Sequence, residues 1–138
     1  MLVNADKKHE LLRAVPLFAQ CNKQEIAALA AACDELSLRA GTELIRQGAR
    51  GREFMVIVDG AADVVKDGEL VARLGSGDFV GEIALLTDLP RTATVTTLEP
   101  TTVLVLTDRA FEQVAVEIPS VRARLLAALA ERLGPSST

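Results

Sequence analysis

The sequence predicts an α+β fold, with an antiparallel barrel or sandwich between two helical ends. Three observations carry this. Short apolar segments between residues 36 and 106 are punctuated by Gly41, Gly48, Gly51, Gly60, Gly68, Gly75 and Gly77. Many short strands at close spacing indicate an antiparallel barrel or sandwich. Asp59-Gly60 and Asp67-Gly68 stand between such segments as hairpin turn pairs. At the two ends the period changes. Ile26, Leu29, Ala30 and Cys33 fall at i, i+3, i+4 and i+7, and Val121, Leu125, Leu129 and Leu133 recur every four residues. Both spacings place apolar side chains on one face of a helix.

Taken in order, residues 6–14 read as a first helix that Pro16 ends, with His9 at an exposed position. Asn22 caps a second helix, and Glu25 three residues on completes a capping box. Strands are expected near residues 36–40, 42–47, 53–58, 61–66, 69–74, 91–98 and 101–106. Gly75-Ser76-Gly77 reads as a turn, because no βαβ unit follows it. Thr107 or Asp108 caps a helix running to about Glu117, and Pro119 opens another. Gly134-Pro135 stops that helix and leaves a frayed tail. Arg122 and Arg124 are expected on its solvated surface.

Bulk composition narrows the function. A chain of 138 residues suits one domain, and 49% hydrophobic residues argue against disorder. A net charge of −4 and a pI near 5.0 give no electrostatic footprint for nucleic acid. No helix-turn-helix segment is left over. No apolar run approaches transmembrane length, and the N-terminus lacks a signal core. Cys21, Cys33 and a single histidine do not make a metal set. These features predict a protein of the reducing cytoplasm, without metal, nucleic acid or membrane segment.

The chemistry concentrates in residues 79–97, FVGEIALLTDLPRTATVTT. Gly81 permits a tight turn or a close backbone approach, since it has no Cβ. The run from Glu82 to Leu86 allows about one helical turn, whose unpaired N–H groups favour an anion. Pro90 stops it. Arg91 then offers a planar fork of donors suited to two phosphate oxygens. Glu82 can accept from hydroxyls such as a ribose presents. One acid and one base around a capped turn can grip a sugar and a phosphate together. The alternative is an ordinary turn carrying a surface ion pair between Glu82 and Arg91.

This stretch resembles the phosphate-binding cassette of cyclic nucleotide-binding domains, as found in catabolite-activator-type regulators, protein kinase A regulatory subunits and cyclic-nucleotide-gated channels. The resemblance rests on Phe79, Gly81, Glu82, Ile83, Ala84, Leu85 and Leu86, then Pro90, Arg91, Thr92, Ala93, Thr94 and Val95. Val15-Pro16-Leu17-Phe18 resembles the family's entry motif. The segment 51–60, GREFMVIVDG, is a partial match with Phe54-Met55 where two aromatics are frequent. The implied fold is an antiparallel β-roll, a jelly-roll-like barrel. It has N-terminal helices over residues 1–34, the roll with its cassette over 35–107, and C-terminal hinge and lid helices over 108–138. Together these form a single domain.

The resemblance also implies roles. Gly81 lets the backbone approach the ligand, and Glu82 binds the ribose 2′-hydroxyl. The N–H groups of Ile83 and Ala84 face the cyclic phosphate, and Arg91 pairs with its oxygens. Thr92 supplies a hydroxyl near phosphate and purine, and Ala93 a further N–H. Arg132, nearly on the face of Leu125, is the candidate for base contact; the alternative is a cation stabilising the helix C-terminus.

No histidine, cysteine or second carboxylate stands in the cassette for acid–base work, so the ligand is expected to be held and not cut. The expected function is a non-enzymatic sensor that binds cAMP and/or cGMP, with no other cofactor. Ligand closes a C-terminal lid helix, and the C-terminal helices offer a surface to an effector protein. Met1 and the short tail favour a stand-alone sensor over a domain of a larger protein. The alternative is a degenerate fold of the same type acting as a protein interaction scaffold. Intact Glu82 and Arg91 argue against it.

Overall fold

The computed structural model describes residues 3–87 and 89–132, except the side chains of Glu82, Ile83 and Arg132. Two antiparallel four-stranded sheets face each other as a jelly-roll-like β-roll, without closing into a barrel. The first sheet has the order β1-β8-β3-β6, formed by Asp34–Leu38, Thr101–Thr107, Glu53–Asp59 and Phe79–Val80. The second has the order β2-β7-β4-β5, formed by Glu43–Ile45, Thr94–Thr97, Ala62–Lys66 and Glu69–Leu74. Helices α1 (Ala5–Arg13) and α2 (Lys23–Ala32) precede the sheets. Helices α3 (Asp108–Glu117) and α4 (Ser120–Arg132) follow them.

The alternation of β3 and β8 explains why the helices sit where they do. Phe54 and Val56 of β3, with Leu104 and Leu106 of β8, face outward into a core shared with Leu12, Leu17, Phe18, Phe111 and Leu125. Met55, Ile57, Val103 and Val105 face inward and pack with Ile45, Ala62 and Val95 between the sheets. Successive strand side chains point to opposite faces, so two central strands serve two cores at once. Phe18 meets Phe54 edge-on, with ring centroids 5.2 Å apart, and Phe54 lies 6.3 Å from Phe79. This aromatic row runs from the 3₁₀ turn Pro16–Phe18 through β3 to the start of the cassette.

Local chemistry sets most element ends as the sequence predicts. Thr107 caps α3, and Asn22 and Glu25 form a reciprocal capping box on α2; α1 is capped by Asn4, which sequence reading did not single out. Asp67 and Gly68 take φ values of 52° and 81° in the tight turn joining β4 to β5. Asp59-Gly60 is different. It joins β3 to β4, which lie in different sheets, so it is a corner and not a hairpin. Gly60 has φ 120°, and a Cβ there would come within 2.4 Å of Thr101 Oγ1. The corner therefore needs glycine for space as well as for φ.

Two further expectations change, and one lies outside the described residues. The strand expected over 91–98 is reduced to β7, Thr94–Thr97, because the backbone of Arg91 bonds instead to Gly48 and Ala49 of the β2–β3 loop. His9 is half-buried, not exposed. Leu133 and the tail of residues 133–138 lie outside the described residues.

Candidate functional site

The cassette begins where β6 ends. Gly81 follows with φ 83°, and the 3₁₀ turn Glu82–Leu85 starts at once. A Cβ on Gly81 would lie 2.6 Å from Arg91 Nη1 and 2.6 Å from the Glu53 carbonyl. Side chains rarely adopt this φ, and here there is also no room for one. A Cβ on Gly51 would likewise be 3.0 Å from Arg91 Nε. Arg91 is thus packed against two glycines. Its side chain is only 8% exposed.

A nearly buried guanidinium needs acceptors. Arg91 Nη2 donates to the Glu53 carbonyl at 2.7 Å and meets Glu53 Oε2 at 3.3 Å. The main chain is fixed as well. Arg91 N–H donates to Ala49 O at 2.9 Å, and Gly48 N–H donates to Arg91 O at 2.8 Å. The β2–β3 loop and the first residue of β3 therefore hold the arginine in place. Sequence reading missed Glu53 because a strand glutamate 38 positions away carries no local signal of its partner. The Gly-x-Glu spacing from Gly51 to Glu53 was the one available hint.

Three cavities meet at Arg91. One, of about 190 Å³, is walled by Ile45, Val64, Val80 and Val95 and closed by Gly81, Arg91, Thr92 and Ala93. A second, of about 260 Å³, shares Gly81, Arg91 and Thr92 and reaches Ala84 and Leu89. A third, of about 280 Å³, lies beside the β2–β3 loop and includes Arg46 and Glu53. An apolar slot ending in a fixed guanidinium suits a flat apolar group tethered to an anion. Among the described residues, none that lines these cavities belongs to α4.

The candidate residues divide as follows. Gly81, Arg91, Thr92 and Ala93 converge on one cavity, with Thr92 exposed and Ala93 half-buried. Ala84 lines the neighbouring cavity, but its N–H closes the 3₁₀ turn by donating to Gly81 O at 3.0 Å. In this conformation that amide is engaged within the turn. Glu82 and Ile83 lie in the same turn, and their side chains are outside the described residues. The side chain of Arg132 is also outside them; its backbone ends α4. Among the described residues, the carboxylate paired with Arg91 is that of Glu53. No cluster of described residues could hold a metal ion, and no described helix is long and apolar enough to cross a membrane.

The two arginines expected as surface groups on α4 do reach the surface, with side chains 37% exposed for Arg122 and 42% for Arg124, and both are paired there. Arg122 pairs with Glu112 and lies 5.4 Å from the Phe111 ring centroid. Arg124 Nε donates to the buried Glu25 at 2.6 Å. Helix α4 packs on α3 and on the Pro16–Phe18 turn.

Comparison with known proteins agrees with this geometry. The family model of the cyclic nucleotide-binding domain matches residues 35–117. The chain is 42% identical over 87 residues to a cAMP-dependent protein kinase regulatory subunit of Yarrowia lipolytica. That match covers 62% of this chain and 23% of the subunit, so the chain spans about a quarter of that relative's length. Among solved structures, the N-terminal domain of a transcriptional regulator from Streptomyces coelicolor A3(2) superposes with a TM-score of 0.82. It has 32% identity and coverage of 89% of both chains. The regulatory domain of Toxoplasma gondii PKA, crystallised with cAMP, superposes with a TM-score of 0.73 at 31% identity. That match covers 80% of this chain and 44% of the other. With its cassette, its β-roll and the fixed arginine at their junction, the chain belongs to the cyclic nucleotide-binding domain family.

Proposed function

We propose that this chain is a regulatory sensor that binds cAMP and/or cGMP through Arg91, holds the ligand without cutting it, and closes α4 over it as a lid. The observation that carries the reading is Arg91 itself. A guanidinium 8% exposed, packed against Gly51 and Gly81 at the end of an apolar slot, is preorganised for a phosphate. The Toxoplasma gondii domain crystallised with cAMP supports a cyclic nucleotide as the ligand class. In this reading Gly81 admits the phosphate, Ile83 and Ala93 offer backbone N–H groups, and the Ala84 N–H does so by exchanging its bond to Gly81 O for one to the ligand. Glu82 takes the ribose hydroxyl, Thr92 serves phosphate and purine, and Arg132 serves the base. Val116 and Leu126, exposed on α3 and α4, would face an effector protein. The proposed compartment is the cytoplasm, consistent with Cys21 and Cys33 both being free and buried. Burial pushes the Cys21 thiol up to about 11 and that of Cys33 up to about 12, which leaves both unreactive.

The test is calorimetric titration of the chain with cAMP and cGMP, beside Arg91→Ala. Truncating one partner of a buried charged pair costs about 2–5 kcal/mol, so the variant is expected to bind roughly 30-fold or more weakly. Near-equal affinity in the variant would remove Arg91 from this role. A product assay that detected hydrolysis of the phosphodiester would overturn the reading as a sensor without turnover.

A further inference from the structure

Among the described residues, the one carboxylate with a fully buried side chain is on α2. Glu25 is 0% exposed. Its Oε1 accepts from Asn22 N–H at 2.7 Å and from Arg124 Nε at 2.6 Å, and its Oε2 accepts from Ser120 Oγ at 2.6 Å. The Asn22 bond is local to the capping box of α2. The other two come from α4, 95 and 99 residues further along the chain. Ser120 and Arg124 are four apart, so they sit one above the other on a single face of the helix.

This contact adds direction to an otherwise non-directional interface. Val121, Leu125 and Ala128 of α4 are buried in the helical core with Leu17 and Phe18. Apolar packing alone permits sliding. A buried carboxylate does not, because it must keep its donors or be rehydrated. Ser120 is exposed and Arg124 is 42% exposed, so both donors lie at the rim, where water can replace their partner. Water at the rim is therefore the competitor for these two donors. In the arrangement described, no α4 side chain among the described residues lines the cavities around Arg91.

We propose that Glu25 is an autoinhibitory latch, which docks α4 on the N-terminal helices in the ligand-free protein and must be released for α4 to close over a bound ligand. The closing half rests on the proposed cyclic-nucleotide reading; the docking half does not. A ligand whose competent state is only fractionally populated binds more weakly by that fraction. Breaking the latch should remove the handicap.

The experiment uses the full chain as wild type, Glu25→Gln, Ser120→Ala and Arg124→Gln. The last two alter rim residues, so they remain informative if Glu25→Gln fails to fold. Amide hydrogen exchange without ligand should become faster over residues 120–132 in the variants, with β3 and β8 unchanged. Unchanged exchange in α4 overturns the latch. Titration with cAMP and cGMP should then give tighter binding in the variants, on the order of tenfold. Equal or weaker binding, with the β-roll intact by exchange, overturns its opposing role. If no variant and no wild-type protein binds either nucleotide, the ligand reading falls, and the exchange data alone decide the latch.

Discussion

Single residues around Arg91 carry distinct and separable burdens. Gly81 combines φ 83° with two 2.6 Å approaches to a would-be Cβ, one of them to a backbone carbonyl. A left-handed alanine costs roughly 1–2 kcal/mol before any clash is counted. Gly81→Ala should therefore lower the melting temperature and displace Arg91, with a larger loss in nucleotide titration than in thermal stability. Equal effects on both would mean that the glycine serves only the turn. Glu53 acts in the opposite sense. Its carbonyl, a main-chain group, holds Arg91 at 2.7 Å in any variant, while its carboxylate at 3.3 Å shares the charge that a phosphate would meet. Glu53→Gln should bind a cyclic nucleotide several-fold more tightly and with steeper salt dependence, since the guanidinium is then unshared. Titrations at two ionic strengths check this, and identical slopes would assign the carboxylate no part in binding.

At the scale of elements, the junction of α2 with α4 depends on one ionised group. Burial pushes the Glu25 carboxyl up, but the bonds from Ser120 and the Asn22 backbone, together with the Arg124 charge, more than offset it. The net result lies below the ordinary 4.5 of a glutamate. A depressed folded value fixes the sign. The stabilisation is fully present above the unfolded value and is lost as pH falls through the folded one. Docking of α4 should therefore hold at neutral pH and weaken only in acid, as the pH falls through a value below that of an ordinary glutamate. Amide exchange of α4 across an acid series should show that loss in wild type and a flatter profile in Glu25→Gln. A wild-type profile as flat as the variant's would show that the carboxylate does not govern docking.

The whole molecule is organised by its two central strands. β3 and β8 carry the helical core on one face and the inter-sheet core on the other, and Phe54 is the largest buried side chain of β3. Phe54 touches Phe18 on the helical side and Phe79 at the cassette entry. A buried phenylalanine cut to alanine typically costs about 3–5 kcal/mol. Phe54→Ala should lose stability of that order in chemical denaturation and weaken nucleotide binding with it, because both the helical layer and the cassette lean on the same ring. A loss under about 1 kcal/mol would mean that the two layers are supported independently.

The sequence by itself determined what depends on neighbours along the chain. The helix caps at Asn22 and Thr107, the tight turn at Asp67-Gly68 and the left-handed Gly81 with the short helical turn after it all follow from local backbone chemistry, and each was legible. The family resemblance was legible for the same reason, since its residues fall within one short stretch. Tertiary structure alone decided the rest. Asp59-Gly60 is a corner because β3 and β4 enter different sheets, which no dipeptide encodes. Arg91 leaves its expected strand because the β2–β3 loop captures its backbone. Glu53 reaches Arg91 across 38 residues, and Glu25 reaches Arg124 across 99. A charge can be read from sequence, but its partner is set by which surfaces pack together, and that is settled by burial over the whole chain.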